Sequence, residues 1–266
     1  ATAILESFFL NPATRMLPNL EYGQAIPGIC KGREIGIIDT LHLIEVPLAV
    51  GLLNADKALD EGTVSGMKAW FGEYLKWLLE HPFGRKERAT GNNHSTAYAL
   101  QVTTFARFTD RRDVIQEMRE FLLEELLPKQ MAEDGRFPLE IERTKPYGYS
   151  IFNLDCFSAL CHILSLDGES LWEHSLPDGR SLKRGVDFLY PFIRDKKQWP
   201  YSRDIAYFEN WPSRPGFLLL AGIWLQKPQW LELWQELTPA TEVEEIERNE
   251  IMHHPLLWLA TWNKEF

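Results

Sequence analysis

TVSGMKAWFGEYLKWLLE, residues 63–80, sets Val64, Met67, Phe71, Tyr74, Leu75 and Leu78 at the i, i+3, i+4, i+7 spacing of a single buried helix face. The pattern recurs in both directions from this stretch. Downstream, Val114, Ile115, Met118, Phe121, Leu122 and Leu126 repeat it, with Asp110 placed to cap the first turn and Pro128 to end the run. Upstream, Leu41, Ile44, Leu48 and Leu52 follow Asp39-Thr40 as a candidate N-cap, with Pro47 expected to kink the helix. Residues 151–164, 182–192, 217–225, 230–237 and 256–262 read as further amphipathic or buried helices, and strand alternation is rare. The connections are Gly/Pro-marked loops such as Pro177-Asp178-Gly179. No linker or fixed-period repeat divides the chain, so the expectation is one all-α domain over residues 1–266, an antiparallel α/α array.

At 266 residues and 45% hydrophobic content the chain has material for a large core, which excludes a disordered or collagen-like protein. Charge is 28 Lys+Arg against 38 Asp+Glu, a net −10. A field of that sign repels polyanions, so nucleic acid is not expected as a partner. An acidic polysaccharide is disfavoured too, unless a local cationic cluster prevails within a Debye length of about 8 Å. Cys30, Cys156 and Cys161 show no pairing or zinc spacing, so neither a disulfide framework nor a metal is expected. The apolar runs read as too short and interrupted for a membrane helix, and the first residues lack the basic start of a signal peptide. The abrupt apolar opening reads as a processed or truncated start.

Two segments are too polar for the helices they interrupt. Gly91-Asn92-Asn93-His94-Ser95 precedes an apolar run and, on local chemistry alone, is a helix start whose side chains accept from orphan N–H groups. Residues 134–143, DGRFPLEIER, lead to Tyr147-Gly148-Tyr149 and read alone as a turn followed by a solvated, alternately charged loop. Elsewhere, His253-His254 read as solvent-facing cap residues and the acidic run 242–247 as a solvated helix face.

Together these segments resemble the alginate-lyase superfamily of polysaccharide lyases. Residues 8–28, FFLNPATRMLPNLEYGQAIPG, and the following Gly32 to Thr40 resemble the entry to its catalytic half. Asn92-Asn93-His94 resembles its Asn-Asn-His, and residues 138–154 resemble its Arg-to-Tyr segment, with Asn153-Leu154 nearer the glucuronan-lyase branch. The likeness runs in motif order over about residues 1–205 and fades in the Trp-rich tail.

The resemblance implies an (α/α) toroid that cleaves a β-1,4-linked polyuronate, glucuronan or alginate-like, by β-elimination without a metal or other cofactor. The C5 proton of a uronate resists removal because the adjacent carboxylate is already negative, so that charge must be neutralised and the developing enediolate stabilised. By resemblance, Asn93 and Arg143 supply the donors, Tyr149 is base, acid or both, and His94 is base or carboxylate holder. Gln24, Arg33, Asn92 and Trp199 are candidate substrate-binding residues, with Arg33 alternatively a surface ion-pair partner and Trp199 alternatively loop packing.

The chain also departs from the family pattern. A helical segment that family members carry ahead of the matched region is missing, so a companion N-terminal fragment or a homo-oligomer is the expected partner besides an acidic polysaccharide or oligosaccharide. Ala97 stands where relatives often carry Trp. The Arg143 to Tyr149 spacing is one residue short, which keeps Tyr147 as an alternative to Tyr149. The family also implies a secreted or periplasmic location. Two other functions compete: an inverting glycoside hydrolase using carboxylates such as Asp134 and Glu140, and an inactive carbohydrate-binding or scaffold protein.

Overall fold

The computed structural model describes residues 1–166, 169–239 and 242–260. It is 64% helical, and no strand forms among the described residues. In chain order the longer helices are α1 (Glu45–Ala55), α2 (Glu61–Glu80), α3 (Pro82–Arg88), α4 (Asn93–Phe108), α5 (Arg112–Phe121), α6 (Pro146–Ser165), α7 (Leu182–Arg194), α8 (Gly216–Trp224), α9 (Pro228–Glu236) and α10 (Pro255–Ala260). The chain divides into two compact units. One comprises Ala1–Thr90, Tyr98–Met118 and the segment from His254; the other comprises Gly91–Ala97 and Arg119–His253.

The first unit is organised by α2, whose start is capped by Asp60 accepting from the Thr63 N–H at 2.8 Å. The predicted face packs as an aromatic cluster, with Phe71 lying 5.0 Å from Trp70 and from Phe105, and 5.7 Å from Phe9 between ring centroids. Glu45 at the start of α1 accepts from the Trp258 indole at 2.8 Å and the His254 N–H at 3.0 Å, which ties α10 to this unit. His254 is thus a backbone anchor whose ring faces solvent. The part of the predicted last helix beyond Ala260 lies outside the described residues.

Proline produced two departures from expectation. Asp39-Thr40 caps nothing, because a 3₁₀ helix already runs from Glu34 to Ile44 and passes into α1, where Pro47 sits in the first turn and its missing N–H costs no bond. The continuous stretch Glu34–Ala55 is therefore long and apolar enough, by length and composition, to cross a membrane, contrary to the sequence reading. In the structure 44% of its most apolar stretch is buried, and Glu45 in its middle bonds Trp258. Pro128 likewise does not end the second run: a π-helical turn at Leu122–Leu126 carries the chain into Leu127–Gln130, where proline occupies the first turn. Asp110 adopts a left-handed conformation (φ 59°) and pairs with Lys68 at 2.8 Å rather than capping α5.

The second unit is built around α6, in which every residue but Tyr149 is buried. A 20-residue helix that is buried all round belongs in a core, and its polar side chains must find partners there. Asp155, within it, accepts from the Phe217 N–H at 2.7 Å and so supplies the cap that Pro215 cannot give to α8. The acidic run presents Glu242, Glu244 and Glu247 to solvent as expected, while Glu245 turns inward to bond Lys145 at 2.5 Å and Ile246 is fully buried.

Candidate active site

The Asn-Asn-His segment starts α4 as its local chemistry requires. The Asn92 carboxamide oxygen accepts from the His94 N–H at 3.0 Å, and the Ser95 hydroxyl accepts from the Gly91 N–H at 2.7 Å. A third cap comes from far along the chain. Glu140, in the short helical turn Pro138–Ile141, accepts from the Asn93 N–H at 2.7 Å and from the Asn93 carboxamide nitrogen at 3.0 Å. Asn93 is buried, and its Oδ1 has no protein partner.

The same Glu140 carboxylate accepts from the Arg143 guanidinium at 3.0 Å, a pair one helical turn apart. Glu140 is only 1% exposed, whereas the Arg143 side chain keeps 31%. Burial pushes the Glu140 carboxyl above its ordinary range, against the pull of Arg143 and the Asn93 N–H. The Arg143 guanidinium in turn lies over the Tyr149 ring, 3.8 Å from its centroid. Glu140 thereby links Asn93 to Arg143, and Arg143 in turn covers Tyr149, with His94 half-buried at the start of α4.

Tyr147 stands apart from this group. It is fully buried, donates its hydroxyl to the Phe192 carbonyl at 3.0 Å, and burial raises its phenol further above the ordinary range. The first turn of α6, which carries both tyrosines, is held by Asp204, accepting from the N–H groups of Tyr147 at 2.8 Å and Gly148 at 2.9 Å. Gly148 is required there: a Cβ would lie 2.6 Å from the Trp211 indole nitrogen and 3.0 Å from Asp204. One turn beyond Tyr149, Asn153 donates to Gln130 at 3.0 Å, and Gln130 donates to the Asn92 carbonyl at 3.1 Å. A second buried route thus joins α6 to the Asn-Asn-His turn.

The other predicted residues fare differently. Gln24 and Arg33 belong to the first unit and bond one another: Arg33 donates to the Gln24 carbonyl at 3.0 Å and to its side-chain oxygen at 3.2 Å. Gln24 also donates to Asp39 at 2.9 Å and holds a left-handed backbone, φ 47°. Trp199 is buried, with its ring edge-to-face against Tyr147, Phe192 and Tyr201 and its indole donating to the Ser202 carbonyl. Packing therefore occupies the faces a sugar would need. Asp134 is engaged by Arg136 on the surface, and both Glu140 oxygens accept from protein donors, so neither carboxylate of the hydrolase reading is poised over a water.

Sequence reasoning saw Glu140 only as a hydrolase carboxylate. Its i, i+3 relation to Arg143 was the available signal for its actual bond, as was the i, i+4 relation of Asn153 to Tyr149. Gln130 and Asp204 gave none, since their partners lie 38 and 57 positions away. Among the described residues no group of three or more His, Cys, Asp or Glu side chains is arranged to hold a metal ion.

The family model described as alginate lyase matches residues 1–199. A solved alginate lyase from Bacteroides ovatus is similar over 96% of this chain and 67% of its own, at 31% identity and a TM-score of 0.82. That likeness extends the all-α, α/α-toroid fold beyond the family match into the Trp-rich tail. No curated protein matches the chain.

Proposed function

We propose a reaction from the premise that this chain belongs to the alginate lyase family, a family of polysaccharide lyases: it cleaves a β-1,4-linked polyuronate, glucuronan or alginate-like, by metal-independent β-elimination. The observation that carries the reading is Tyr149, the one residue of α6 that is not buried, lying under the Arg143 guanidinium. A proton-transfer group and a fixed cation are the two elements that elimination beside a carboxylate demands.

In this reading the exposed part of Arg143 neutralises the substrate carboxylate. Asn93 has one amide hydrogen left after its bond to Glu140 and offers it to the same group. Tyr149 or His94 takes the C5 proton; the electron pair forms the C4–C5 double bond and the C4–O4 bond breaks. O4 leaves with a proton from Tyr149, so the products are a new reducing end and an unsaturated uronate. Asn92 serves binding beside these residues.

A panel of glucuronan, polymannuronate and polyguluronate, followed by ultraviolet absorbance for the new double bond, tests the proposal. Unsaturated product from at least one polymer is the expected result. New reducing ends without a double bond would mean hydrolysis, and binding without turnover would mean a carbohydrate-binding protein; either outcome overturns the reading.

A further inference from the structure

We infer that Glu140 is a positioning residue for this reaction, its carboxylate locking the Asn93 carboxamide and the Arg143 guanidinium into one unit. The inference rests on the lyase reading and deepens it. Capping is only part of what Glu140 does: Asn92 and Ser95 accept from the His94 and Gly91 N–H groups, and Glu140, besides accepting from the Asn93 N–H, also holds the Asn93 carboxamide and the Arg143 guanidinium. Burying a carboxylate is costly unless it is paired and hydrogen-bonded, and here all three partners come from the two residues that the reaction needs.

The acceptor-only chemistry of a carboxylate sets the geometry. Asn93 must turn its nitrogen towards Glu140, which directs Oδ1 the other way, where it is buried without a protein partner. A glutamine at 140 would offer a donor in place of one oxygen and remove that constraint. Arg143 is held from two sides, by the Glu140 oxygen at 3.0 Å and by the Tyr149 ring at 3.8 Å, leaving its exposed edge for substrate. Glu140 itself is spent on protein donors and sealed from solvent, so it acts through its neighbours.

The test is Glu140→Gln, alone and combined with Arg143→Ala, in the full chain. Alone, it should lower kcat on a cleaved polyuronate roughly 10–100-fold, the cost of a misplaced group, with KM changed by less than about 3-fold. In the Arg143→Ala background the same change should add less than about 3-fold, since both act through one unit. Wild-type kcat in Glu140→Gln, or an equal loss in both backgrounds, would overturn the inference. If the variant fails to fold, ¹⁵N spectra of the wild-type chain decide: a restrained Arg143 guanidinium is expected, and free rotation would overturn the lock. A wild-type chain that forms no unsaturated product would sink the lyase reading instead, and those spectra would still judge the Glu140 unit.

Discussion

Tyr147 and Tyr149 stand two positions apart on one helix and have opposite surroundings. Tyr147 is sealed and bonded to a backbone carbonyl, whereas Tyr149 keeps exposed surface beneath a guanidinium. Tyr149→Phe should therefore abolish formation of unsaturated product while circular dichroism and substrate binding stay near wild type, because a proton-transfer group is lost with little volume. Tyr147→Phe should keep the activity and cost about 1 kcal/mol in denaturant unfolding for its single hydrogen bond. The opposite pattern would transfer the role to Tyr147. Asn93→Ala and His94→Ala should each reduce kcat about 10²–10⁴-fold in the same assay. Near-wild-type rates in both would leave this segment a helix start and no more. Spacing along the chain was short by one residue and did not separate the tyrosines; their burial differs, and burial depends on what the rest of the unit places around each ring.

The helices were legible where one apolar face repeats and illegible where local rules compete. Residues 63–80 read correctly because six periodic apolar positions agree, and Asp60 adds a cap. Pro47 and Pro128 misled because a proline is harmless in any first turn, and the 3₁₀ and π turns that put them there leave no periodic signature. Asp155 shows what else stayed hidden: it caps α8 from inside α6, 62 positions away. Burial, reinforced by nearby Glu250 and opposed by the Gly216 and Phe217 N–H groups, pushes its carboxyl from an ordinary 3.8 up to about 7. Below about pH 4 both folded and unfolded chains hold that proton, and the group imposes no extra burden. Between pH 4 and 7 the unfolded chain loses the proton first, so stability falls as pH rises through this window. Asp155→Asn keeps an acceptor for Phe217 without titrating. Its melting temperature should gain on wild type between pH 4.5 and 7.5 by on the order of 2 kcal/mol, or roughly 4–8 °C. A difference that stays constant with pH would refute this account of Asp155.

Over the whole molecule a charge of −10 must be reconciled with the proposed substrate, itself a polyanion. Long-range attraction does not bring the two together, so the favourable terms must act within about a Debye length of 8 Å, through Arg143 and neighbouring amide donors. A bound divalent cation would be another way to neutralise the uronate, and the two devices make different demands on the medium. If Arg143 carries the charge, cleavage of a short uronate oligomer should be unchanged by a chelator and by added calcium or magnesium. The oligomer matters, because cations cross-link long uronate polymers and would alter access without touching the chemistry. Loss of initial rate with chelator, restored by one divalent ion, would show that the guanidinium does not suffice. The same assay on Arg143→Lys separates charge from shape. Lysine keeps the cation but cannot hold Glu140, cover the Tyr149 ring and present a flat edge to a carboxylate at once, so kcat should fall although the charge is conserved. Equal rates for lysine and arginine would reduce the role of this position to charge alone.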